Sequence, residues 1–136
     1  MREIVLRGEP ASTNEARSFV ATFLEGCGVP EDDVFEILLA LTEAVGNAIR
    51  HSAAQPDDRI TVRCQLKGSN VVLQVQDDGC GFLYSDKMAE LPDPISSCGR
   101  GFFLMHELMD HVEIDSSSSG TTVLLQRKFL SHALTA

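Results

Sequence analysis

The chain has 136 residues, 43% hydrophobic and 23% charged, an ordinary composition for one soluble globular domain with a single continuous core. Its formal net charge of −9 argues against a nucleic-acid phosphate backbone or an anionic membrane as the main partner, although a nucleotide pocket needs only one or two cations. The opening Met1-Arg2-Glu3-Ile4-Val5-Leu6-Arg7-Gly8 lacks the apolar core of a signal peptide, and the most apolar stretch, Val34 to Ile49, is broken by Glu36, Glu43 and Asn47, so no membrane span is expected.

Glu3 to Arg7 alternates as a first strand. Ser12 with Glu15 makes a capping-box pattern and predicts a helix through about Glu25, stopped by Gly26-Cys27-Gly28. Pro30 followed by Glu31, Asp32 and Asp33 suits a helical first turn and predicts a second, longer helix to about His51 or Ser52. Gln55-Pro56-Asp57-Asp58 then reads as a turn. Ile60 to Leu66 and Val71 to Gln76 carry a period of two, with Gly68-Ser69-Asn70 between them as a hairpin signal. From Asp78 to Ser97 glycine, prolines, serines and acids follow one another without a period, and so long a connection in a small domain predicts a functional segment of the lid type. Phe102 to Met109 predicts a short apolar helix entered from Gly99-Arg100-Gly101. Val112-Glu113-Ile114 and Thr121 to Leu130 are the closing strands, around Ser116-Ser117-Ser118-Ser119-Gly120. This order predicts a single domain over residues 1–136, a two-layer α/β sandwich with helices on one face of a mainly antiparallel, mixed sheet.

The second helix carries the chemistry. Each helical residue advances about 100°, so Glu43, Asn47 and Arg50 fall within roughly 60° of one another, opposite Val34, Leu38, Leu41, Val45 and Ile49. Gly46 costs about 1 kcal/mol against alanine in mid-helix, which points to a close approach there. An asparagine carbonyl is a hard ligand for Mg²⁺, a carboxylate one turn earlier can take a proton from an attacking hydroxyl, and Arg50 can steady phosphate oxygens. His51 fits a structural role at the helix end. Asp77 ends a strand where its carboxylate can accept from an exocyclic amine such as adenine's, and Gly79 and Gly81 let the backbone pass close beneath a flat base. Gly99-Arg100-Gly101 opens a helix whose free N–H groups can hold phosphate. One hydroxyl of Thr121 or Thr122 supports Asp77 or a water on the base if the strands are neighbours, and Thr122 is the one assigned to the pocket.

Each segment alone fits a plainer reading: a solvated helix surface, an Asp-Gly turn, a glycine pair opening a helix, ordinary strand threonines. Their occurrence together, in order, points to a nucleotide pocket with its own metal ligand and base. Cys27, Cys64, Cys80 and Cys98 are scattered with no CxxC pair and read as reduced cytosolic thiols.

These residues resemble a known family. Glu43-x-x-x-Asn47, Asp77-x-Gly79-x-Gly81, Gly99-x-Gly101 and Gly120-Thr121 are similar to the N box and the three glycine boxes of the Bergerat-fold ATPases, which include gyrase, the histidine kinases and MutL. The runs Glu43-Ala44-Val45-x-Asn47-Ala48-Ile49-x-His51, Gly99-Arg100-Gly101-x-Phe103-Leu104-Met105 and Gly120-Thr121-Thr122-Val123 are similar, more narrowly, to the anti-sigma serine kinases of the RsbW and SpoIIAB type. The resemblance implies a cytoplasmic partner-switching kinase that uses ATP and Mg²⁺, phosphorylates a serine of a STAS-domain antagonist, binds a sigma factor and forms a homodimer. It implies that Glu43 is the base, Asn47 the Mg²⁺ ligand and Asp77 the adenine-recognising group. The Gly79/Gly81 and Gly99/Gly101 turns would flank base and phosphates, and Arg100 is expected at the γ-phosphate. The competing reading is a non-catalytic ATP-binding module that sequesters a partner protein; the carboxylate at position 43 argues against it. A detached histidine-kinase catalytic domain and a redox protein built on the cysteines fit the residues less well.

Overall fold

The computed structural model of the chain describes residues 1–51, 59–78, 97–117 and 120–129. Its elements run β1 (Arg2–Arg7), α1 (Ser12–Gly26), α2 (Glu31–His51), β2 (Arg59–Lys67), β3 (Asn70–Asp77), α3 (Ser97–Leu108), β4 (His111–Ser117) and β5 (Gly120–Lys128). The five strands form one sheet in the order β1-β2-β3-β5-β4, antiparallel at every pairing. This is the two-layer sandwich that the element order predicts. The expected turn at Gln55–Asp58, the lid between Asp78 and Ser97, Gly79, Gly81 and Leu130 lie outside the described residues.

Period-two alternation gives the sheet two unlike faces. Leu6, Ile60, Val62, Cys64, Val71, Leu73, Val75, Val123 and Leu125 are buried on one. The intervening Thr61, Arg63, Gln74, Gln76, Thr122 and Gln126 are half-buried on the other, the pattern of a sheet with one solvated side. The helices close the buried face with residues at helical spacing: Ala16, Val20 and Leu24 of α1, and Ile37, Leu41, Ala44, Val45 and Ala48 of α2. Full burial of each large aliphatic side chain contributes about 1.5–3 kcal/mol, so this layer is what fixes the strand register.

The capping box at Ser12 does not form. Ala11 is the N-cap and makes no side-chain bond, while the Ser12 hydroxyl donates to the Arg7 carbonyl at 2.7 Å. The tight connection from β1 makes the box unnecessary, because Ser12 N–H donates to Glu9 O at 3.0 Å and Thr13 N–H to Pro10 O at 3.2 Å. At the other end Gly28 (φ +76°) sits just past Cys27, and Val29 N–H donates to Leu24 O at 3.1 Å, a Schellman closure. The β2–β3 hairpin pairs Lys67 with Asn70 around Gly68 (φ +60°) and Ser69, so Asn70 belongs to the strand; a positive φ at the first turn position alone is that of a type II′ turn. The third helix also begins earlier than expected. Gly99, Arg100 and Gly101 lie in the first turns of α3 and not in a turn before it. Packing along α2 overrides the unfavourable helix propensity of the glycines.

One end of the sandwich is held by Arg127. Its Nε and Nη2 donate to Asp33 Oδ1 at 3.2 and 2.9 Å, Nη2 also pairs with Glu36, and Nη1 donates to the Leu108 carbonyl at 2.7 Å. Burial alone would lower the guanidinium pKa, but hydrogen bonds and charge from Asp33 and Glu36 outweigh it and hold the pKa above its ordinary value. The contact joins the start of α2, the end of α3 and the end of β5. Arg127→Met is expected to lower the free energy of unfolding by about 2 kcal/mol, since it strands two carboxylates and a carbonyl. Urea titration checks this, and a change under about 0.5 kcal/mol would show the cluster to be ordinary surface charge.

Cys64 is wholly buried under the helices, and burial pushes its thiol up to about 11. The folded protein therefore keeps this proton where the unfolded chain releases it. Stability from this group is unaffected below the ordinary thiol range and declines as pH rises from about 9 towards about 11. The expected loss between pH 8 and 10 is about 1 kcal/mol more for the natural chain than for Cys64→Ala, measured by urea unfolding under reducing conditions.

Candidate functional site

The connectivity draws Glu43, Asn47, Asp77 and the start of α3 to the end of the sandwich opposite Arg127. Because Arg127 clasps the first turn of α2 and the last carbonyl of α3, the two helices run antiparallel, and the shorter α3 begins beside the second half of α2. The same end receives the start of β2, the finish of β3 and the start of β5, through the pairs Ile60–Asp77 and Asp77–Thr121. The last turns of α2, the carboxylate of β3, the first residues of β5 and the N-terminus of α3 thus share one pole. A helix N-terminus presents unsatisfied N–H groups and a positive dipole end, and the glycine pair of α3 lies within its first turns.

Three polar side chains are buried at this pole: Asn47 at 3% exposure, Asp77 at 4% and Thr121 at 2%, in a layer that is otherwise almost entirely apolar. Buried polar groups of this kind are normally satisfied. Thr121 is, through Oγ1 2.9 Å from Ser116 Oγ on the neighbouring strand, and Asp77 also has partners. Asn47 is satisfied on one side only. Arg50, one turn on, donates to its Oδ1, while the buried Nδ2 finds no acceptor among the described residues. A buried donor left without a partner costs about 1–3 kcal/mol, which marks this amide as a group for a partner that the described chain does not supply. Glu43, one turn before Asn47, is half-buried and makes no hydrogen bond or ion pair with a described residue.

Among the described residues no three His, Cys, Asp or Glu side chains cluster as a metal cage. An amide oxygen at a pole facing a helix N-terminus suits a different arrangement, in which Mg²⁺ takes one protein oxygen and is otherwise held by phosphate and water. Asn47 Oδ1, which here accepts from Arg50, would be that protein oxygen.

Two expectations change. The threonine beside Asp77 is Thr121, its direct register partner on the helix-covered face; Thr122 pairs with Gln76 and stands on the opposite face, so it does not join the others. At Gly46 the nearest described atom facing an added Cβ is Arg50 Nη1 at 3.5 Å, an ordinary contact, so no tight approach demands glycine there. Gly120 is the glycine that is required. Its φ is +143°, and an added Cβ would lie 2.1 Å from the Asp77 carbonyl oxygen. Ser116 was not among the predicted site residues, and the serine-rich run before Gly120 was its only signal; Gly120 was singled out only by its likeness to the third glycine box, with no role assigned. The side chains of His51, Gly99, Arg100 and Gly101 are outside the described part of the structure.

No helix among the described residues is long and apolar enough to cross a membrane. Residues 6–127 match the family of histidine kinase-like ATPase domains. The anti-sigma F factor of Bacillus cytotoxicus is 30% identical over 138 residues, covering 96% of this chain and 94% of the relative. That of Clostridium acetobutylicum is 29% identical over 126 residues, covering 87% of each. Among solved structures, that of the RsbU and RsbW domains of Rv1364c from Mycobacterium tuberculosis superposes with a TM-score of 0.71 at 21% identity, covering 95% of this chain and 33% of that one. With the sheet, the buried polar trio and the match over nearly its whole length, the chain belongs to the histidine kinase-like ATPase family, in the anti-sigma factor group of the RsbW and SpoIIAB type.

Proposed function

We propose that the chain is an ATP- and Mg²⁺-dependent serine kinase and anti-sigma factor, which phosphorylates a serine of a STAS-domain antagonist in a partner-switching module. The observation that carries the reading is the buried Asn47 amide, whose Nδ2 finds no acceptor among the described residues, one turn beyond a Glu43 that no described residue pairs, at the pole where α3 begins. Asp77 would accept a hydrogen bond from the adenine amine, with Thr121 holding its flank. The first turns of α3 would meet the phosphates with backbone N–H groups. Asn47 would hold Mg²⁺, which supplies neutralisation of phosphate charge when bound. Glu43 would orient the antagonist's serine hydroxyl and take its proton as the oxygen attacks phosphorus. The anti-sigma F factor relatives support the sigma-binding half of the reading, and a homodimer is part of it.

Incubation with labelled ATP, Mg²⁺ and a STAS-domain protein from the same genome tests the reading, and label on a serine of that protein is the expected result. Nucleotide binding without any transfer would favour the non-catalytic module that uses ATP only to set its partner-binding shape. Asn47→Ala is expected to weaken ADP binding about tenfold or more in Mg²⁺ and to leave it nearly unchanged in EDTA, by calorimetric titration. The variant should fold normally, because it removes a buried donor that has no acceptor among the described residues.

A further inference from the structure

The two ends of the Asn47 amide are treated unequally, and the group that occupies one of them is a cation. Arg50 donates to Oδ1, the oxygen that a hard metal ion would take, and its Nη1 lies over the preceding turn, 3.5 Å from where a Cβ on Gly46 would be. A guanidinium and a divalent ion on one carboxamide oxygen would stand only a few ångströms apart as like charges, so the two positions exclude each other. Arg50 is exposed and lies in the last turn of α2, so its guanidinium can leave without disturbing the core.

We infer that Arg50 competes with the divalent cation for Asn47 Oδ1, so that metal binding moves the guanidinium off the amide. This rests on the proposed nucleotide site and adds to it a positioning residue that sets how much metal the site requires. The consequence is a coupling: nucleotide taken up without metal leaves the Arg50–Asn47 bond intact, and nucleotide taken up with metal breaks it.

The test is the Mg²⁺ concentration that half-saturates the tightening of mant-ADP binding, measured by fluorescence for the natural protein and for Arg50→Met. Methionine keeps the length and helix propensity of the side chain and removes its donors. The half-saturating Mg²⁺ concentration is expected to fall about tenfold in the variant, each protein being referred to its own affinity in EDTA. The fall should persist when salt is raised from about 0.1 to 0.5 M, since a direct hydrogen bond outlasts screening and through-space repulsion does not. An unchanged or higher Mg²⁺ requirement, or a fall that disappears at high salt, would overturn the competition. Failure of the natural protein to bind mant-ADP with or without Mg²⁺ is a different result, which removes the nucleotide site itself and the competition with it.

Discussion

Glu43→Ala is expected to lower phosphoryl transfer to the antagonist by about 10²-fold while leaving ADP affinity in Mg²⁺ unchanged. The position supports both halves of that statement. Glu43 is half-buried on the stripe of α2 that carries Asn47, one turn nearer the middle of the helix, and no described cation neutralises it. An unpaired carboxylate so placed can accept a proton from a hydroxyl brought to the pole, yet it adds nothing to the holding of a nucleotide. General bases contribute about 10²–10⁴-fold. The lower end applies, because phosphoryl transfer passes through a loose transition state in which the hydroxyl has lost little of its proton. Single-turnover transfer of label, followed beside titration of ADP, separates the two effects. Equal losses of affinity and transfer would make Glu43 a binding or folding residue, and full transfer would remove it from the chemistry.

What could be read from the sequence follows from which signals are periodic. The strands of the central hairpin and the apolar stripe of α2 repeat over several turns or pleats, so their faces and their antiparallel order are legible. The Asn47–Glu43 stripe was legible for the same reason, since helical geometry fixes angles between residues four apart. Signals that hang on one residue were not. Thr121 and Thr122 are adjacent, and choosing between them requires the parity of β5. The run Val123-Leu124-Leu125 blurs that parity because apolar residues point to both faces, and a shift of one residue exchanges the two hydroxyls. Ser12 carries a capping pattern that local spacing favours, but the chain arrives from β1 in a turn that already satisfies the first N–H groups. Gly46 has a propensity cost that reads as a demand for space, and the space is filled by the side chain of Arg50 from the same helix. The Arg127 cluster was not legible at all, because its partners Asp33 and Glu36 lie 94 and 91 positions away in sequence.

Gly120→Ala should cost more stability than any other substitution considered, about 3–4 kcal/mol, and should abolish the rise in melting temperature that ADP gives the natural protein. Two separate penalties meet at this position. A φ of +143° is a conformation that L side chains rarely adopt, worth about 1–3 kcal/mol by itself. The added methyl would also stand 2.1 Å from the Asp77 carbonyl oxygen, with the Asp77 carbon at 3.2 Å and the Asp78 Cα at 3.3 Å, and all three are backbone atoms that no rotamer change can move. The start of β5 must therefore retreat from the end of β3, and it carries Thr121 away from Asp77, its register partner. Gly28 supplies the control. Its φ is +76°, but an added Cβ there meets nothing within 4 Å, so Gly28→Ala incurs the backbone penalty alone, about 1 kcal/mol, and should keep the full response to ADP. Urea unfolding and ADP-dependent melting of the two variants side by side separate strain from contact. Equal losses at the two glycines would mean that β5 does not press on the Asp77 backbone, and the pocket wall would have to be built some other way.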